Sequence, residues 1–157
     1  MTRPAAAALA AVLMLLAVPA QAMAPTPSTD EAGDKAGMSD YAKAEALIDE
    51  ERYAEAVPLL QAVVKRQPKN ADAWSQLGFA SRKAGNWKDG EGYYAKALAL
   101  DPNHQEAMEY LGELYLETGR PKEAQALLAK LVKLCPDGCE ARSELEEAIE
   151  THARKKK

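Results

Sequence analysis

Apolar and small residues in this chain fall into short helical stripes separated by turns, and the stripes repeat. Trp74, Leu77, Gly78 and Ala80 mark one face of a helix that ends near Gly85-Asn86. A second stripe runs from about Trp87 through Tyr94, Ala97 and Leu98 to Leu100, where Asp101-Pro102-Asn103 stops it. Proline cannot continue a helix and biases its predecessor away from helical angles, and Asn103 is placed to cap the next start. The pattern then recurs 34 residues on: Leu77-Gly78 returns as Leu111-Gly112, Gly85 as Gly119, and Pro68 as Pro102 and Pro136. A period of this length predicts stacked helical hairpins, each unable to bury its apolar face alone. Gly78 and Gly112 lie inside predicted helices, where glycine costs about 1 kcal/mol relative to alanine. Close approach of the paired helix is the expected compensation.

These residues resemble the tetratricopeptide repeat, whose 34-residue motif has Trp, Leu-Gly, Tyr, Ala, an aromatic, Ala and Pro at set positions. The middle repeat, 71–104, supplies Trp74, Leu77, Gly78, Tyr94, Ala97 and Pro102, and departs at Ser81 and Gly90. The last, 105–138, supplies Leu111, Gly112, Tyr115, Ala124 and Pro136, with Met108, Leu128 and Leu131 as apolar substitutes. The first, 37–70, keeps Ala44, Leu47, Ala56, Leu60, Val63 and Pro68, but Asp40 and Lys43 replace two apolar positions. Its first helix is therefore expected to start late or pack loosely. The resemblance implies an all-α, right-handed solenoid of antiparallel helical hairpins, spanning 38–153. Beyond the third repeat, Ala141, Leu145, Ala148 and Ile149 form one narrow apolar stripe on an otherwise charged segment, which suits a capping helix over 139–153.

The N-terminus reads differently. Met1-Thr2-Arg3, an apolar run from Ala5 to Val18 and the small residues Ala20-Gln21-Ala22 have the form of a secretory signal peptide over 1–22. Cleavage is expected near Ala22 or Ala24, giving a secreted or periplasmic protein without a stable membrane anchor, because 14 apolar residues span a bilayer poorly. Residues 23–37, rich in Pro, Thr, Ser, Asp and Gly, read as a flexible linker. The formal charge is −4, and removing Arg3 with the leader makes it one unit more negative. This argues against nucleic acid as a partner, since phosphate binding needs clustered Lys and Arg. The one basic cluster, Arg154 to Lys157, suits the negative end of a helix dipole.

Candidate chemistry is sparse. In an exported protein the two cysteines, Cys135 and Cys139, are most simply a disulfide between the last repeat and the cap. Free or regulatory thiols, or a metal or catalytic role, are the alternatives. Haem attachment and a Cys-x-x-Cys redox motif are not matched. His104 and His152 have no sequence-adjacent nucleophile with an acidic orienter. No catalytic residue, metal site or cofactor is predicted, and an enzyme is not expected.

The resemblance says more about binding. In this family partner peptides lie against the first helix of each repeat, which places Tyr41, Glu45, Asp72, Gln76, Phe79, Arg82, Glu106, Glu109, Tyr110, Glu113 and Glu117 on a concave groove. The chaperone-binding branch holds a peptide carboxylate with Lys and Asn that are missing here. Glu106, Glu109, Glu113 and Glu117 instead form an acidic ridge at helical spacing, with Tyr41, Phe79 and Tyr110 available for packing. The expected function is a non-catalytic scaffold or adaptor for a protein or peptide segment of basic and apolar character. The alternatives are a thiol-redox or metal-handling accessory centred on Cys135 and Cys139, and self-association.

Overall fold

The computed structural model describes the backbone of residues 29–155 and the side chains from Ser39 onward. The expected signal peptide, its cleavage site and residues 23–28 lie outside the described residues. Among the described residues seven helices follow one another: α1 (Thr29–Asp49), α2 (Tyr53–Arg66), α3 (Ala71–Lys83), α4 (Trp87–Leu100), α5 (Gln105–Glu117), α6 (Pro121–Leu134) and α7 (Glu140–Lys155). They pair as hairpins α1/α2, α3/α4 and α5/α6; α2 packs on α3, α4 on α5, and α7 against both α5 and α6. The protein is thus an all-α solenoid of helical hairpins.

The period sets both the turns and the core. Pro68, Pro102 and Pro136 each stand two residues beyond the end of α2, α4 and α6. Gly85 and Gly119 take φ of 88° and 75° at the ends of α3 and α5, where the next amide bonds back to Ser81 and Tyr115, closing the helix with a left-handed residue. Glu51 occupies the same place in the first repeat with φ 57°. Here a side chain sits in the region that favours glycine. At the helix starts, the Asn70 side chain accepts from the Ala73 amide at 3.0 Å. Its counterpart one repeat on is His104, whose Nδ1 accepts from the Ala107 amide at 3.3 Å. The cap of α5 is therefore His104 rather than Asn103, whose own amide donates to Asp101.

Two buried layers fill the stack. One gathers Ala56, Leu60, Val63, Ala73 and Leu77 around α2 and α3, the other Tyr94, Leu111, Leu114, Leu131 and Leu145 around α5. Gly78 meets the α4 side chain expected of it: a Cβ there would lie 2.7 Å from the Tyr94 ring. Gly112 does not. Its crowding neighbour is Leu145 of α7, at 2.6 Å, since α6 carries Leu128 where α4 carries Tyr94.

The N-terminal end departs from expectation, whereas the C-terminal helix stands where the cap was expected. The first helix starts early, at Thr29, so residues 29–37 of the expected linker are helical. No proline follows Pro27 before position 58, and extending an established helix costs little per residue because each adds a hydrogen bond. Ala44 is fully buried in that helix, while Lys43 stays exposed and Asp40 pairs with Arg66 of α2. At the other end, α7 continues the period: Ala141 and Leu145 are buried as Ala73, Leu77, Ala107 and Leu111 are. Glu146, however, replaces Gly78 and Gly112, and Arg142 replaces Trp74 and Met108. Their ion pair at 2.9 Å puts charge on the face where a further helix would dock. Cys135 and Cys139 are disulfide-bonded across the α6–α7 turn, with Cα atoms 5.9 Å apart.

Candidate functional site

The first helices of the hairpins supply the groove. Between α5 and α7 it opens into a cavity of about 680 Å³ lined by Glu113, Leu116, Glu117, Glu144, Ala148 and His152 among others. Beside it a row of half-buried aromatic rings crosses three helices. Tyr53 of α2 meets Phe79 edge-on at 5.9 Å, and Phe79 meets Tyr110 at 4.8 Å. Arg82 lies over both the Phe79 and Tyr110 rings, and Lys83 over Tyr53 and Phe79.

Arg82, Glu113 and Glu117 come together as expected of groove residues, but they spend their charge on one another. The Arg82 side chain is 3% exposed; Nη2 donates to Glu113 at 2.6 Å and Nη1 to Glu117 at 3.0 Å. Glu109 is buried at 3% exposure. Burial, with Glu144 and Glu113 close by, pushes its carboxyl up to about 8, so it keeps its proton at neutral pH. Of the four glutamates in the ridge, two share the single positive charge of Arg82 and a third has its carboxyl pushed up by burial. The ridge is consequently not the free anionic surface that helical spacing suggested.

The remaining expected residues divide by position. Glu106 and Asp72 are exposed and flank His104 at 3.2 and 3.0 Å, away from the α5–α7 cavity. Tyr41 is half-buried, and burial together with Glu45 and Asp72 pushes its hydroxyl up to about 12. Gln76 is half-buried. Burial likewise takes Tyr110 up to about 12, with Glu109 and Glu144 adding to it. The sequence reading missed the α7 wall, Glu144, Glu147, Thr151, His152 and Lys155, and Tyr53 in α2. The signal for the wall was present: Ala141 and Leu145 repeat Ala107 and Leu111 at the 34-residue spacing. Among the described residues no group of three or more His, Cys, Asp or Glu is placed to hold a metal ion.

A sequence model of the tetratricopeptide repeat matches residues 47–93 and 82–141. The chain belongs to the tetratricopeptide repeat family. No curated protein matches it in sequence. Among solved structures it is similar to MamA (residue 41 to the end) of Desulfovibrio magneticus RS-1, at 26% identity and a TM-score of 0.63, covering 71% of this chain and 67% of that one. It spans 65% of the length of a MamA double mutant, at 27% identity and a TM-score of 0.62 over 69% of this chain. The yeast Sti1 TPR2B domain, solved in complex with pHsp70, shares the fold at 17% identity and a TM-score of 0.70, over 77% of this chain and 98% of that one. So does the first TPR domain of Spaghetti (RPAP3), bound to the HSP90 peptide SRMEEVD, at 18% identity and a TM-score of 0.66, over 76% and 94%.

Proposed function

We propose that this tetratricopeptide repeat protein is a non-catalytic interaction module that holds a protein or peptide segment along its groove. The observation that carries this reading is the row Tyr53, Phe79 and Tyr110, half-buried beside a cavity of about 680 Å³. Rigid aromatic surface gives a partner large contact area at low entropic cost. The segment is of basic and partly apolar character. Glu144 and Glu147 line the cavity with exposed side chains, against Lys155 and His152. Opposite charge aids encounter, and salt weakens it. That Sti1 and RPAP3 domains of the same fold were solved with chaperone peptides supports peptide capture as the mode, though not the partner's chemistry.

The test is a photo-reactive phenylalanine at Tyr110, compared with one at the exposed Gln61 on α2, in the cell's own extract. Partner adducts from position 110 that fade at high salt are expected. Equal adducts from both positions, or none from position 110, would overturn the groove reading.

Export is part of the same proposal. It rests on the residues of 1–22, and sequencing the protein recovered from the periplasm should give a start at Met23 or Pro25. A start at Met1 in the cytoplasm would remove it.

A further inference from the structure

A second recess lies between α2 and α4. Pro58, Gln61 and Lys65 of α2, Trp74 and Leu77 of α3 and Tyr93 of α4 line a cavity there of about 540 Å³. Helix register puts Trp74 and Leu77 on the side of α3 opposite Gln76 and Phe79, so this recess and the groove open on different faces of the array. Packing does not account for its lining. One repeat on, the counterparts of Trp74 and Tyr93 are Met108 and Leu127, which are 2% and 6% exposed. At the recess the two larger rings stay half-buried, 5.9 Å apart. The Trp74 indole N–H is spent on the Pro68 carbonyl at 3.0 Å, so the ring offers apolar surface rather than a donor. Pro58 sits inside α2, where it cannot donate to the Ala54 carbonyl and costs the helix stability. Departures of this kind from good folding practice gather where a protein binds something.

The rim is basic in a chain of formal charge −4. Lys65 lines the recess, Lys69 follows the proline that receives the Trp74 bond, and Lys96 stands one turn beyond Tyr93. All three are exposed and enter no ion pair among the described residues. The carboxylates on the same helix faces are Asp89, one turn before Tyr93, and Glu55, which is held by Arg52.

We propose that this recess is a second docking surface, for an acidic protein segment. Large apolar side chains of that segment rest against Trp74 and Tyr93, and its carboxylates meet Lys65, Lys69 and Lys96. Rigid rings give contact area at low entropic cost. Lysines, as point charges on flexible stems, follow carboxylates without a fixed geometry. The rings are recessed between α2 and α4, where a side chain reaches them and the plane of a bilayer does not. This surface is independent of the groove: the two lie on opposite faces of α3 and carry opposite charge, which suits a bridge between an acidic and a basic segment.

The chain has two tryptophans, and the other, Trp87, is exposed at the start of α4. The full chain carrying Trp87→Phe therefore reports on the recess through Trp74 emission alone. Short random peptides are selected on this protein, and each enriched one is titrated against it at low salt. Some are expected to shift and saturate the emission, and to carry Asp or Glu beside Leu, Phe, Tyr or Trp. Their affinity should fall by about tenfold when Lys65→Glu is combined with Lys96→Glu, and stay unchanged with Glu147→Lys in the α5–α7 cavity. The surface is overturned if no enriched peptide moves the emission, if those that do lack acidic residues, or if the double reversal leaves their affinity as it was. A shift caused by phosphatidylglycerol vesicles would assign the recess to a membrane surface instead. A shift on concentrating the protein alone would assign it to a second copy. Basic peptides that bind and leave Trp74 emission unchanged belong to the groove, so failure there and failure here are read separately.

Discussion

Arg82 of α3 donates to Glu113 of α5 at 2.6 Å with its own side chain 3% exposed, while Glu113 is 31% exposed. The buried member of the pair is the cation, and the two carboxylates that hold it, Glu113 and Glu117, reach water.

That asymmetry orders the variants. Arg82→Met leaves two carboxylates that water can solvate and should cost about 1–2 kcal/mol. The double variant Glu113→Gln, Glu117→Gln leaves a buried guanidinium without counter-charge and should cost more, about 3 kcal/mol. Urea denaturation of the three proteins checks the order. Charge reversal at Glu109 or Glu113 would for the same reason disturb folding before it reported on binding.

The two helix-interior glycines should differ. In Gly78→Ala the new methyl meets the rigid, fully buried Tyr94 ring, and a loss of about 2 kcal/mol is expected after the gain in helix propensity. In Gly112→Ala it meets the terminal methyls of Leu145, which can turn aside, so the net change should stay within about 1 kcal/mol. Thermal melts that reverse this order would refute the packing account.

Glu51 is expected to be a site where glycine stabilises. It holds φ 57° at the position filled by Gly85 and Gly119 in the later repeats. Glu51→Gly should raise stability by about 1 kcal/mol by removing left-handed strain, measured as an increase in the urea midpoint at unchanged slope.

The disulfide should matter to α7 more than to the repeats. Cys135 and Cys139 close a five-residue loop, worth about 2 kcal/mol in the chain-entropy account. Cys139→Ser should lower the melting temperature and the exchange protection of α7 while far-ultraviolet circular dichroism keeps the helices of α2–α6. An unchanged melt would remove the staple.

Stability should fall on both sides of a pH optimum. Burial raises the Glu109 carboxyl to about 8, so its contribution is complete below the ordinary glutamate range and lost as pH rises through about 8. Hydrogen bonding to Arg120 lowers Glu91, and its contribution is lost as pH falls below that range. Glu109→Gln should flatten the alkaline limb and leave the acid limb, in denaturation curves taken at successive pH values.

The sequence by itself determined the repeat. Helix periodicity, prolines beyond α2, α4 and α6, and glycines at left-handed turns are local properties, each set by backbone sterics within a few residues, and they placed six helices, the cap and the hairpin pairing. The proposed groove positions were assigned from that register. The charge state of those positions did not. Glu109, Glu113 and Glu117 read as one solvated ridge because a helix stripe shows spacing but not what faces it. Only the stacked array brought Arg82 from 31 residues away onto Glu113 and buried Glu109. The same is true of Gly112: its need for a small residue was legible, whereas its neighbour, Leu145 rather than a residue of α6, was decided by which side chain filled the space. Burial and through-space charge depend on all the helices at once, and they are what tertiary structure adds to the pattern.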